Sequence, residues 1–200
     1  EHDRIIILED DLLLSPGFLE YMNTALELYK DDEIVMHVSG YVYPVREPLD
    51  ETSFLIFSSN WGWGTWRRAW KKFMRDPEQL LKLYESPEQQ RLLNMDGVHD
   101  YYSVLQRCAA TSWKSWDIRW YGTIRHYGGL CLHPGKSLVQ NIGTDDSGVN
   151  CGDDDMFKDQ PTTDRVEVRK LPLVESAKTR NAYREFHKYM DKTDVVSKMK

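Results

Sequence analysis

The sequence has little cysteine: Cys108, Cys131 and Cys151 are its only three, far apart and without a Cys-x-x-Cys pair. That excludes a disulfide scaffold and a thiolate zinc framework, and it fits a reducing compartment. No Asn-x-Ser/Thr sequon occurs, which agrees with that compartment. No apolar run approaches the length of a membrane span and no stretch reads as a signal peptide, so no transmembrane segment is expected. Basic residues are in the minority, 26 Lys and Arg against 32 Asp and Glu, for a formal net charge of -6. Without a block of basic residues, nucleic acid is not an expected partner.

What the chain does have is an ordinary globular composition, 40% hydrophobic and 29% charged, over 200 residues. That length builds one domain with a real core, or one domain with a tail. Seven Trp and eleven Tyr are a heavy aromatic load. Flat rings suit sugars and bases, although most aromatic side chains serve the core.

One stretch organises the rest. Ile5-Ile6-Ile7-Leu8 is a continuous apolar run, which predicts a strand buried on both faces at the centre of an α/β sheet. It stops on three consecutive acids, Glu9, Asp10 and Asp11. Ligands bind such sheets at the carboxyl ends of their strands. Three acids there repel one another unless a cation sits among them, and hard ions such as Mn²⁺ or Mg²⁺ take one or two carboxylates plus substrate phosphates. Solvated acids at a strand end are the plainer alternative.

Ser15-Pro16 predicts a helix start, with Phe18, Leu19, Met22, Leu26 and Tyr29 at helical spacing. Ile34–Ser39 predicts a second strand, and the strand-helix-strand order predicts a parallel pair. Phe54–Phe57 predicts a third. Trp61-Gly62-Trp63-Gly64-Thr65-Trp66 reads as a loop entering a helix at Thr65, with Trp61 and Trp63 free to form a sugar-stacking platform. Asp76-Pro77 and Ser86-Pro87, each followed by Gln three residues after the cap, predict short helices over 77–84 and 87–94. A helix over 98–110 carries His99 and Asp100 in its first turn, where the dipole favours a carboxylate. Ser112–Asp117 leads into another helix ended by Gly128-Gly129. Short strands are expected over 130–133, 137–140 and 166–171, and a helix near 176–190. The stretch Asn141–Cys151, which holds Ser147 and Gly148, reads as a polar loop that closes over a ligand, or as a plain connection.

Taken together, Leu8–Asp11, Ser15-Pro16, Trp61–Trp66, Ser115–Trp120 and Lys136–Gly143 resemble, in order and spacing, a group of bacterial sugar transferases of the GT-A glycosyltransferase type. The resemblance covers residues 5 to about 151. A more distant similarity is to the N-acetylglucosaminyltransferase family that begins complex N-glycans. These resemblances imply an α/β, Rossmann-like mixed sheet flanked by helices, with the N-terminal nucleotide-binding half absent. They imply a catalytic part over 1–151 and a C-terminal extension over 152–200. They imply transfer of a sugar from a nucleotide-diphosphate donor to a glycan or lipid-linked acceptor hydroxyl, with inversion, in polysaccharide or glycoconjugate synthesis. By resemblance Asp11 is the ligand of Mn²⁺ or Mg²⁺, Glu9 and Asp10 hold the donor's sugar or ribose, and Trp61 and Trp63 belong to the donor site. Asp100 is the implied catalytic base, with Asp96 the runner-up, and Asn141, Ser147 and Gly148 belong to the acceptor or lid loop. Together with the cysteines, the resemblance implies a cytoplasmic location, including one peripheral to a membrane. Thr144 and Asp146 depart from the pattern of the bacterial group. Two rivals use the same residues: a metal-dependent phosphohydrolase, and a non-catalytic carbohydrate-binding module built on Trp61 and Trp63.

Overall fold

The computed structural model describes residues 2–113, 115–143, 157 and 160–197. Its strands are β1 (Arg4–Ile7), β2 (Leu12–Leu14), β3 (Val35–Ser39), β4 (Thr52–Leu55), β5 (Trp63–Trp66), β6 (Leu130–Pro134) and β7 (Val139–Asn141). Its helices are α1 (Phe18–Leu28), α2 (Arg67–Trp70), α3 (Pro77–Leu83), α4 (Pro87–Leu93), α5 (Tyr101–Ala110), α6 (Trp116–Tyr127) and α7 (Ala177–Ser197). Five strands form a mixed sheet in the order β1-β5-β3-β6-β4, and β2 pairs with β7 in a separate ribbon. Among the described strands only β3 and β6 run parallel, the other paired strands being antiparallel, and an isolated parallel bridge joins Ser137 to Thr162. The α/β class and the mixed sheet flanked by helices are therefore as the sequence predicts.

The sheet order differs from expectation. β1 is an edge strand, paired on one side with β5, and Ile5 is 56% and Leu8 46% exposed. The wholly buried central strand is β3. Nor do β1 and β3 pair: each is antiparallel to β5, which lies between them. That place is taken by Trp63–Trp66, predicted as the approach to a helix. Gly64 makes it possible, because a Cβ there would lie 2.9 Å from Met22 Cε and 3.1 Å from the Ile5 carbonyl oxygen. Only a glycine lets α1 press onto the sheet at this point. Thr65 Oγ1 donates to Met36 O at 2.7 Å, and Trp66 Nε1 donates to Leu26 O at 3.0 Å, so the strand is tied to β3 and to α1.

Local chemistry sets the helices. α3 and α4 have the predicted caps: Asp76 accepts from the Glu78 amide at 3.0 Å, and Ser86 Oγ from the Gln89 amide at 3.2 Å. α1 starts at Phe18, with Gly17 and not Ser15 at its cap. α5 starts at Tyr101, later than predicted, because Met95, Asp96 and Gly97 hold positive φ angles of 53°, 64° and 82°. Residues 166–171 pair with no strand; Val166 is buried there without a ladder. On α7, Ala182, Tyr183 and Phe186 face inward as predicted, while Tyr189 is exposed. Tyr183 is wholly buried among Val42, Leu55 and Phe57, so the end of the chain shares the core with β4. No helix among the described residues is long and apolar enough to cross a membrane.

Candidate functional site

The acids at the end of β1 meet the end of β7. Leu12 pairs with Asn141, and the Ile142 amide donates to Asp11 O at 2.8 Å, extending the ribbon by one bond. The Asp11 carboxylate lies flat against Gly143, where a Cβ would stand 2.6 Å from Oδ2. Its Oδ1 is buried and has no hydrogen-bond partner. A carboxylate oxygen held this way is costly unless a cation reaches it. Asn141 belongs to the strand end and not to a lid loop: it is buried, and its Oδ1 accepts from the Gly143 amide at 2.7 Å. Its Nδ2 is also buried without a partner. Ser147 and Gly148 lie outside the described residues.

Glu9 stands at the surface beside this cradle. Surrounding protein strips part of its hydration, and the charges of Asp11, Asp117 and Asp10 repel its own, so its carboxyl is raised above the ordinary range. Asp117 was not singled out from the sequence. It sits in the first turn of α6, accepts from the Ile118 amide at 2.6 Å, and opens to solvent at the mouth of a cavity of about 320 Å³. Displacement of water by the surrounding protein raises its carboxyl as well. Its charge in turn pushes the Tyr43 hydroxyl further up, on top of the effect of burial. Asp117 thus joins the strand-end acids to an aromatic cavity walled by Tyr41, Tyr43, Trp61, Tyr101 and Tyr121.

Two buried imidazoles support the cavity floor. The Trp120 indole N–H donates to His37 Nδ1 at 3.2 Å, so His37 Nε2 carries the hydrogen and donates to Ser59 O at 2.9 Å. His133 Nε2 donates to Phe57 O at 2.8 Å, and the Tyr183 hydroxyl lies 3.2 Å from His133 Nδ1. Burial lowers both pKa values, aided for His37 by the charge of His133, to about 3 for His37 and about 4 for His133. Both rings are therefore neutral supports for Phe57–Ser59.

Three expected site residues have other work. Asp100 is the exposed N-cap of α5: it accepts from the Ser103 amide at 3.1 Å, from Ser103 Oγ at 2.6 Å and from Asn94 Nδ2 at 3.3 Å. Those bonds, the Ser103 hydroxyl above all, hold its carboxyl below the usual range, which makes it a poor base. Asp96 is ion-paired with Arg180 and, at 3.8 Å, with Arg184, fastening α7 to the turn before α5. Trp63 is 2% exposed, stacked between His37 at 5.0 Å and Trp116 at 5.2 Å, so it offers no sugar a free face. Trp61 does line the cavity, half-buried, with Tyr41 at 4.6 Å.

No group of three or more His, Cys, Asp or Glu among the described residues is arranged to hold a metal. The donor set fits a hard ion that takes a single protein carboxylate and completes its shell with phosphate and water. Compared with known protein families and with curated proteins, the chain matches none.

Proposed function

We propose that the chain is a metal-dependent glycosyltransferase of the GT-A type, which moves a sugar from a nucleotide-diphosphate donor to an acceptor hydroxyl. The observation that carries this reading is a fourth carboxylate, Asp117, within electrostatic reach of Glu9 in the Glu9-Asp10-Asp11 strand end and on the lining of an aromatic cavity. The mixed α/β sheet supports it, with the acids at the carboxyl end of β1.

The Asp11 carboxylate would hold the ion, with Gly143 leaving it room and Asn141 bracing the Gly143 amide. When bound, Mn²⁺ or Mg²⁺ supplies neutralisation of charge on the leaving diphosphate. Glu9 and Asp10 face the donor's hydroxyls. Asp117 takes the proton of the acceptor hydroxyl as its oxygen bonds to the anomeric carbon and the bond to the diphosphate breaks. A base on the acceptor side gives inversion.

The test is release of nucleotide from a panel of UDP-, GDP- and dTDP-sugars with and without Mn²⁺, in the presence of simple sugar acceptors. One donor is expected to turn over in a metal-dependent way, with Asp11→Asn reducing the rate by about a hundredfold or more. Phosphate release from simple esters without an acceptor would favour the phosphohydrolase. Glycan binding indifferent to Asp11→Asn, without turnover of any donor, would favour the binding module.

The Asp11–Gly143 contact gives a second prediction. Gly143→Ala is expected to push the Asp11 carboxylate aside and weaken Mn²⁺ binding by roughly ten- to a hundredfold, as for other changes that misorient a metal ligand. Titration of free Mn²⁺ by its electron paramagnetic resonance signal reads this without turnover; unchanged affinity would place the ion elsewhere.

A further inference from the structure

Granted the transferase reading, the geometry points to the cavity beside Asp117 as the acceptor subsite, and to an uncharged sugar as the acceptor group it takes. The size agrees first. A volume of about 320 Å³ is at the small end for ligand cavities, suited to a monosaccharide unit and too small for a whole nucleotide sugar. The walls agree next. Tyr41, Tyr43, Trp61, Tyr101 and Tyr121 present ring surface, against which the C–H face of a pyranose packs.

The polar groups are those that hydroxyls would pair with. Ser58 is buried, lines the cavity, and has no partner for its Oγ; Asn60 lines it too, with Oδ1 buried and unpaired. An amide oxygen accepts from a hydroxyl, and a serine hydroxyl both gives and accepts. The backbone on either side is fixed, because His133 holds the Phe57 carbonyl and His37 the Ser59 carbonyl. These two polar side chains stand on a braced floor and not on a loose loop.

Charge decides the class of sugar. Among the described residues lining the cavity there is no Lys or Arg, and Asp117 is the single carboxylate. Glu9 adds a second negative charge close by. A uronate or a sugar phosphate would enter against like charge, with the His99 imidazole the one group of the lining able to offer it a positive charge. A neutral hexose or N-acetylhexosamine meets no such repulsion, and its nucleophilic hydroxyl finds Asp117 ready to accept a proton.

The experiment measures equilibrium binding to the 200-residue chain, without donor or metal, by saturation-transfer NMR and calorimetry. Methyl hexosides and methyl N-acetylhexosaminides are compared with methyl hexuronides of the same configuration, and with uridine and guanosine. At least one neutral glycoside is expected to bind about tenfold or more tightly than its uronide. Asp117→Asn is expected to bring that ratio close to one. Trp61→Ala is expected to weaken the neutral sugar by about tenfold or more, and Trp61→Phe to restore most of it, which separates ring packing from misfolding. The inference falls if a uronide binds as well as its neutral partner, or if Asp117→Asn leaves the ratio unchanged. It also falls if only a nucleoside binds in a Trp61-dependent way, or if nothing in the panel binds. Because neither donor nor metal is present, such a failure leaves the nucleotide-release result standing, and the converse also holds.

Discussion

Asp117→Asn is expected to lower sugar transfer by two to four orders of magnitude, roughly the span that a positioned general base contributes, while leaving thermal stability nearly unchanged. The side chain keeps its shape and can still accept from the Ile118 amide, but it can no longer take a proton. Asp100→Ala is expected to do the reverse. Asp100 caps α5 through Ser103, so its loss costs about 1 kcal/mol of stability. Turnover at a temperature where the variant is folded should hardly change. The contrast decides between the base that the resemblance implied and the one that the structure favours. Acceptor-dependent rates and melting temperatures for both variants suffice; a collapse in Asp100→Ala with Asp117→Asn still active would restore the original assignment. The raised carboxyl of Asp117 adds a pH signature. A base must be ionised, so the acid limb of the rate profile should lie above the usual aspartate range and disappear in Asp117→Asn.

The second large effect concerns acid. His37 and His133 titrate in the native protein at about 3 and about 4, against 6.5 in an unfolded chain. With native values depressed, the unfolded state binds the protons first. Stability is therefore level above pH 6.5, falls as pH drops below it, and stops falling once pH has passed the native values. From pH 7 to pH 5 the two rings together cost about 4 kcal/mol, a large part of a small domain's stability. Glu9 and Asp117, whose carboxyls are raised, act in the opposite sense further down the scale. Denaturant unfolding at pH 7, 6 and 5 should show the loss. The NMR signals of the two buried rings should stay those of neutral imidazole throughout. Rings that titrate near 6.5 while the protein is native would refute this.

Part of the molecule was legible in the sequence because it is locally determined. α3 and α4 follow from Asp76-Pro77 and Ser86-Pro87, whose caps need nothing beyond their own first turns. The α/β class followed from the apolar runs. Sheet order did not. Ile5–Leu8 is apolar enough for a central strand, yet it lies at an edge because β5 takes the place expected of a parallel neighbour. Trp63–Trp66 hid as a strand because two glycines beside tryptophan read as a turn, whereas Gly64 is there to admit α1. The site was half legible. Asp11 stood out as the end of an acidic run, but what sets it apart, Gly143 against its carboxylate, joins positions far apart in the chain. Asp117 stood unremarked in Ser115–Trp120, since an acid in a first helical turn has a sufficient local reason. Only the folded chain brings its charge within reach of Glu9. Asp100 drew attention on the same local signal, and in the structure it caps α5 through Ser103.

The indole cluster around Trp63 has an optical consequence. Trp63 lies 5.2 Å from Trp116, 5.9 Å from Trp70 and 6.3 Å from Trp120, and Trp70 lies 5.0 Å from Trp120. Chromophores this close share their excited states, so four of the seven tryptophans form one coupled array whose circular dichroism depends on mutual angle. Trp63 belongs to β5, the neighbour of β1, and Trp116 immediately precedes Asp117. The array therefore spans the strand beside the acidic strand end and the helix that carries Asp117, and any drift between the two would be written in the near-ultraviolet spectrum of the unlabelled protein.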